Sequence, residues 1–146
     1  MFIELGLLHP DDKIKPKMEF NDSNKFECIF TSVKISANNS VMFKNFEGTE
    51  LGIWSAHGEG RFRLPNKEKE YNIVGKYSKS TFPTNPNGSD YDTAILSSQD
   101  GRHIAMMPHL ERSTFAWNWG YYPKPKNSDD ISPWIYAFIN AYDWLK

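Results

Sequence analysis

Five short apolar runs, each followed within a few residues by glycine, proline, asparagine or aspartate, direct most of this chain into β-strands. They are Phe26–Ile35, Leu51–Ser55, Tyr71–Tyr77, Thr93–Ser97 and His103–Met107. The last two are joined by Ser98-Gln99-Asp100-Gly101-Arg102, whose Asp-Gly tip reads as a hairpin. Pro83–Ser89 is dense turn chemistry, because Asn87-Gly88 accepts positive φ and each proline interrupts regular structure. In the first run Phe26, Cys28, Phe30, Val33 and Ile35 share one face only if the strand bulges or kinks. That pattern predicts Cys28 as a buried, inert thiol, since no cation or helix N-terminus stands beside it.

Helical signals sit at the two ends. Ser132 is a good N-cap and Pro133 suits the first helical position, where its missing N–H costs nothing. Trp134, Phe138, Ala141 and Leu145 then recur at helical spacing. Val41–Phe46 reads as one short helical turn. At the other end, Phe2–Leu8 starts at full hydrophobicity and reads as the back half of a helix. The whole is a mixed α/β chain forming one domain over residues 1–146.

Composition narrows the function. Aromatic residues make up 15% of the 146 residues and supply a core although apolar residues reach only 39%. A net charge of −1 gives no electrostatic case for nucleic acid or an anionic membrane. The single cysteine excludes an internal disulfide and fits a reducing compartment. The apolar start is too short to span a bilayer and lacks the marks of a signal peptide, so the expected location is cytoplasmic.

Two His-x-Glu pairs carry the candidate chemistry. His109 and Glu111 follow the end of a predicted strand, where a histidine with an orienting carboxylate serves as a general base. His57 and Glu59 sit in a glycine-bounded turn, Gly58 and Gly60 allowing a sharp reversal or close approach. The bland alternative for both pairs is a solvated loop. Two imidazoles and two carboxylates also suit zinc, but neither pair has the spacing of a helical metal motif. His9 and His103 have no partner pattern, and Lys67–Glu70 reads as a solvated loop.

These segments, in order, resemble the glutaminase domain of the phosphoribosylformylglycinamidine synthase family. The matching stretches are Ser55–Phe62 (Ser-Ala-His-Gly-Glu-Gly-Arg-Phe), Phe82–Ser89, Gly101–Arg112 and Ser132-Pro133-Trp134, with Asn24–Glu27 also similar. The resemblance implies the C-terminal portion of a class I glutamine amidotransferase, a flavodoxin-like α/β domain with a mixed sheet, flanking helices and a Cys–His–Glu triad. It makes His109 the base and Glu111 the residue that orients it. The family has proline between them; Leu110 stands here and can adopt the same backbone angle.

The resemblance also places the nucleophilic cysteine immediately before Met1, and the oxyanion-hole segment further upstream. The chain alone is therefore expected to be inactive, with Phe2, Ile3 and Leu5 left uncovered. His57 and Glu59 are expected to line the glutamine cleft or to contact the synthase domain. The implied partners are glutamine and that domain, which would hold ATP and magnesium; no metal or cofactor is expected in this chain. Two other readings use the same residues: a stand-alone, non-catalytic binding module, and a metal-dependent hydrolase.

Overall fold

The strand expected over Phe26–Ile35 forms as β2 (Glu27–Ile35) and lies inside the main sheet. The computed structural model describes residues 2–9, 13–123 and 130–146. β2 is flanked by β3 (Glu50–His57) and β5 (Asn72–Tyr77). Beyond β5 come β6 (Thr93–Ser97) and β7 (Ile104–Met106), and beyond β3 comes the two-residue β8 (Pro108–His109). The order is β7-β6-β5-β2-β3-β8, and each pairing is antiparallel. β1 (Lys17–Glu19) and β4 (Arg61–Arg63) form a separate two-stranded ribbon. Each holds one apolar residue between two charges, too short a pattern to read as a strand.

The expected bulge in β2 does not occur. Its register with β3 runs unbroken from Glu27 opposite His57 to Lys34 opposite Glu50. With a strict period of two, Val33 and Ile35 are buried on one face while Cys28 and Phe30 fall on the other. Cys28 is consequently exposed, not buried. The irregular strand is β5, whose pairing with β6 shifts on either side of Gly75. A Cβ at Gly75 would stand 2.8 Å from Ile95 and 2.9 Å from Val33, so only glycine lets the strands approach this closely.

Two apolar clusters hold the sheet. The larger joins Val33, Ile53, Val74 and Ile95 of the strands to Phe43, Phe46, Leu110 and Trp134. The smaller gathers Ile3 and Leu8 with Phe62, Leu64, Tyr71 and Leu96. Ile3 is thus covered, contrary to expectation, whereas Leu5 remains exposed. The N-terminal segment closes as a helix end does. Gly6 N–H donates to the Ile3 carbonyl and Leu7 N–H to the Phe2 carbonyl, both at 3.0 Å, around a Gly6 φ of 71°. This is the Schellman arrangement, and the positive φ explains the glycine. His9 packs edge-on against Tyr71, and His103 stands near Asp100.

The terminal helix α1 (Ile135–Trp144) follows a tight turn through Pro133 and Trp134. The Ser132 hydroxyl accepts from Trp134 N–H at 3.3 Å within that turn. The helix begins two residues later than the sequence predicts, with Trp134 rather than Ser132 at its N-cap position and Pro133 outside it. The buried stripe differs from the predicted one. Trp134, Ala137 and Asn140 face inward, while Phe138 is 42% and Leu145 75% exposed. Asn140 is drawn in because its amide donates to the Met42 carbonyl at 2.9 Å. The outer face therefore presents Phe138, Ile139, Tyr142 and Leu145 to solvent. Such a patch favours self-association. Light scattering on the chain should give a mass above the 16.9 kDa of one copy. A clean monomer would show that this face needs no cover. No helix among the described residues is long and apolar enough to cross a membrane.

Candidate active site

β8 pairs with the end of β3, His109 opposite Trp54 and Pro108 opposite Ser55. Proline is tolerated there because β8 is an edge strand. The turn that follows is fixed from inside. Leu110 is buried in the larger cluster, and its carbonyl accepts from Ser113 N–H at 2.9 Å. The Ser113 hydroxyl donates to the His109 carbonyl at 3.2 Å and accepts from Trp54 N–H at 3.3 Å. Leu110 thus anchors the turn by burial, and His109 and Glu111 are brought together on its outer side.

His109 Nδ1 lies 2.7 Å from Glu111 Oε1. Burial pushes the Glu111 carboxyl up, but hydrogen bonds from His109 and its own backbone, with the charges of His109 and Arg112, hold it below the usual range. An ionised carboxylate only accepts, so Nδ1 carries the proton and Nε2 is the basic nitrogen of the neutral ring. Nε2 stands 3.4 Å from the carbonyl oxygen of Ala56 on β3.

Next to that carbonyl is His57, the last residue of β3. Its Nδ1 is 3.3 Å from the Ser55 hydroxyl, and its Nε2 is 3.0 Å from Asn87 Nδ2. Burial first, and then the nearby His109, lower the pKa of His57. Gly60 closes against the ring so tightly that a Cβ would fall 1.8 Å from it. The structure therefore brings His57 beside His109. Glu59 does not join them and stands exposed in the turn.

Comparison with known proteins gives the family of the chain. The model of the CobB/CobQ-like glutamine amidotransferase domain matches residues 1–145. This chain belongs to that family. A probable phosphoribosylformylglycinamidine synthase of Arabidopsis thaliana is 38% identical across 92% of the chain, which covers 11% of that relative. A second, from Drosophila melanogaster, is 40% identical across 85% of the chain and 10% of its own length. Among solved structures, PurLQS from Thermotoga maritima superposes with a TM-score of 0.72 at 26% identity. The match covers 99% of this chain and 57% of that one. The chain thus spans about a tenth of the length of these curated relatives and corresponds to their amidotransferase region.

For an amidotransferase, the position of the thiol matters most. Cys28 pairs with Ala56 in register, on the far side of β3 from β8. Strand spacing sets it roughly 12 Å from His109 between Cα atoms, beyond hydrogen-bond reach. No cluster of three or more His, Cys, Asp or Glu side chains able to hold a metal ion occurs among the described residues. A cavity of about 610 Å³ opens beside Phe30, Gly52, Thr84 and Trp119, and neither His109 nor Glu111 lines it.

Sequence reasoning missed the support behind His57. Asn21 and Asn87 are buried, and the Tyr77 hydroxyl sits 3.1 Å from Asn87 Nδ2. Burial raises the Tyr77 pKa, with hydrogen bonds to Ser55 and Asn87 opposing, so the phenol stays protonated. In the sequence Asn87 reads only as half of an Asn-Gly turn. Gly88 does carry the expected positive φ of 73°, but nothing in the spacing shows that the turn folds inward onto β3.

Proposed function

We propose that this chain is the base-bearing part of a glutaminase domain, serving the amidation of formylglycinamide ribonucleotide in purine synthesis. The observation that carries this reading is the 2.7 Å contact between His109 Nδ1 and Glu111, which leaves Nε2 free to take a proton. The nucleophilic cysteine comes from outside these residues, and Cys28 plays no part.

The steps follow from that base. His109 Nε2 takes the thiol proton, and the thiolate attacks the side-chain amide carbon of glutamine. The tetrahedral adduct collapses as the C–N bond breaks and the imidazolium returns the proton to the departing ammonia. A glutamyl thioester remains. His109 then removes a proton from water, which attacks the thioester carbon; the C–S bond breaks, releasing glutamate and restoring the thiol. Glu111 holds the tautomer throughout. The ammonia passes to a synthase domain, where ATP and magnesium act; these residues bind neither.

The test is a glutaminase assay on the purified chain. No glutamate above the blank is expected, because a base without its nucleophile has nothing to activate. Glutamate release that disappears in Cys28→Ser would overturn the placement of the thiol.

A further inference from the structure

The buried amide of Asn87 has only one orientation that satisfies its neighbours. Its Oδ1 accepts from Ser89 N–H at 3.0 Å, and its Nδ2 donates to the Gly60 carbonyl at 2.8 Å. Exchanging oxygen and nitrogen would set donor against donor and acceptor against acceptor. The group facing His57 Nε2 at 3.0 Å is therefore a donor, sharing its two hydrogens among the Gly60 carbonyl, the Tyr77 oxygen at 3.1 Å and Nε2. It offers no acceptor to a proton on Nε2, which favours the unprotonated nitrogen there. The proton of the neutral ring then lies on Nδ1, the ring nitrogen nearer the Ser55 hydroxyl, 3.3 Å from it against 3.5 Å for Nε2. Charging His57 would turn an N–H towards the Asn87 N–H and lose that bond.

The backbone at the same point is equally restrained. Asn21 Nδ2 donates to the His57 carbonyl at 2.7 Å, and Asn21 Oδ1 accepts from Gly60 N–H at 3.2 Å. Those two bonds hold the His57–Gly58 and Glu59–Gly60 peptides, while the Ala56–His57 peptide lies in the β2–β3 ladder with His57 opposite Glu27. Between these restraints the Ala56 carbonyl faces His109 Nε2 from 3.4 Å. A carbonyl oxygen gives a neutral His109 no hydrogen bond at Nε2, but it accepts one from the imidazolium.

We propose that His57 is a positioning residue for His109: locked neutral by Asn87, it fixes the Ala56 carbonyl as the acceptor for the Nε2 proton of the His109 imidazolium. The proposal rests on the reading of His109 as the base and adds what stabilises its charged form between proton transfers. The neutrality of His57 also spares His109 a like charge, in keeping with the downward shift of His57. The ionisable groups around the two rings are Glu111 and Arg112 on the turn after β8, and Tyr77 on β5. Glu27 lies opposite His57 on β2, Glu59 in the turn, and Arg61, paired with Asp22, on β4. Of these, only Glu111 hydrogen-bonds His109, and it does so at the other nitrogen.

Nitrogen-15 NMR of the imidazoles in the full 146-residue chain tests this without glutamine or a thiol. His57 should show the Nδ1–H tautomer and charge only below the ordinary histidine range, as its burial requires. An Nε2–H tautomer at His57 overturns the proposal. In a His57→Gln variant with a native amide spectrum, the His109 Nε2 resonance should move from its wild-type position. An unchanged resonance there also overturns it, and if that variant does not fold the wild-type tautomer still decides. Failure of the amidotransferase reading would appear separately, as a glutamine-dependent activity indifferent to His109.

Discussion

Replacing His109 with alanine in the complete synthase should lower glutamine-dependent turnover by at least about a thousandfold and leave ammonia-supported turnover unchanged. The asymmetry follows from the chemistry assigned to the site. Added ammonia bypasses the thiol, the thioester and every proton transfer through Nε2, so the loss of the imidazole touches only the glutamine route. Glu111→Gln should fall nearly as far, although it keeps the shape of the side chain. An amide can donate to Nδ1, which favours the tautomer with the proton on the wrong nitrogen. The measurement is amidine formation with glutamine and, in parallel, with an ammonium salt. An equal loss on both routes would make the His109 turn a structural element. No loss on either would end its assignment as the base.

The residues of that pair are legible in the sequence because their chemistry is local. Two residues apart after a strand end, His109 and Glu111 need only one turn to meet, and the turn is short enough to read from spacing alone. The strands are legible for the same reason, with β5 and β6 within a residue of their predicted bounds. What stays hidden depends on parity and on distance along the chain. Phe26, Cys28 and Phe30 and then Val33 and Ile35 look like one face until the unbroken register with β3 separates them. Neither local propensity nor hydrophobicity decides whether a bulge joins two such sets; the neighbouring strand does.

The support of His57 is hidden more deeply. Asn21 and Asn87 lie 36 and 30 residues from His57, and each looks like an ordinary turn or surface residue alone. Their burial follows from the way the β1–β4 ribbon and the Asn85–Ser89 turn close over the end of β3. There the Ser89 hydroxyl accepts from Phe62 N–H at 3.0 Å. The resemblance to amidotransferases marks His57 as noteworthy, yet it joins His57 to Glu59. The structure joins it instead to Asn87 and His109, leaving Glu59 in solvent.

Trp134→Ala should cost about 3–5 kcal/mol, the range for removing a large aromatic from a core. Trp134 is fully buried, stacked on Phe46 with centroids 5.8 Å apart and edge-on to Phe43 at 6.4 Å. Its Nε1–H also donates to the Gly52 carbonyl on β3 at 2.8 Å, tying the entry of α1 to the strand that carries Ala56 and His57. For a chain of this size the loss corresponds to a fall in Tm of roughly 10–15 °C. Trp134→Phe keeps most of the buried area and loses the hydrogen bond, so about 1–2 kcal/mol is expected. Phe138→Ala, on the outer face of the same helix, should change stability by less than about 0.5 kcal/mol. Urea unfolding followed by circular dichroism separates the three. A large loss at Phe138 as well as at Trp134 would mean that α1 packs by the stripe the sequence predicts. A loss that falls from Trp134→Ala through Trp134→Phe to Phe138→Ala means that one indole at the start of the helix fixes it to the sheet.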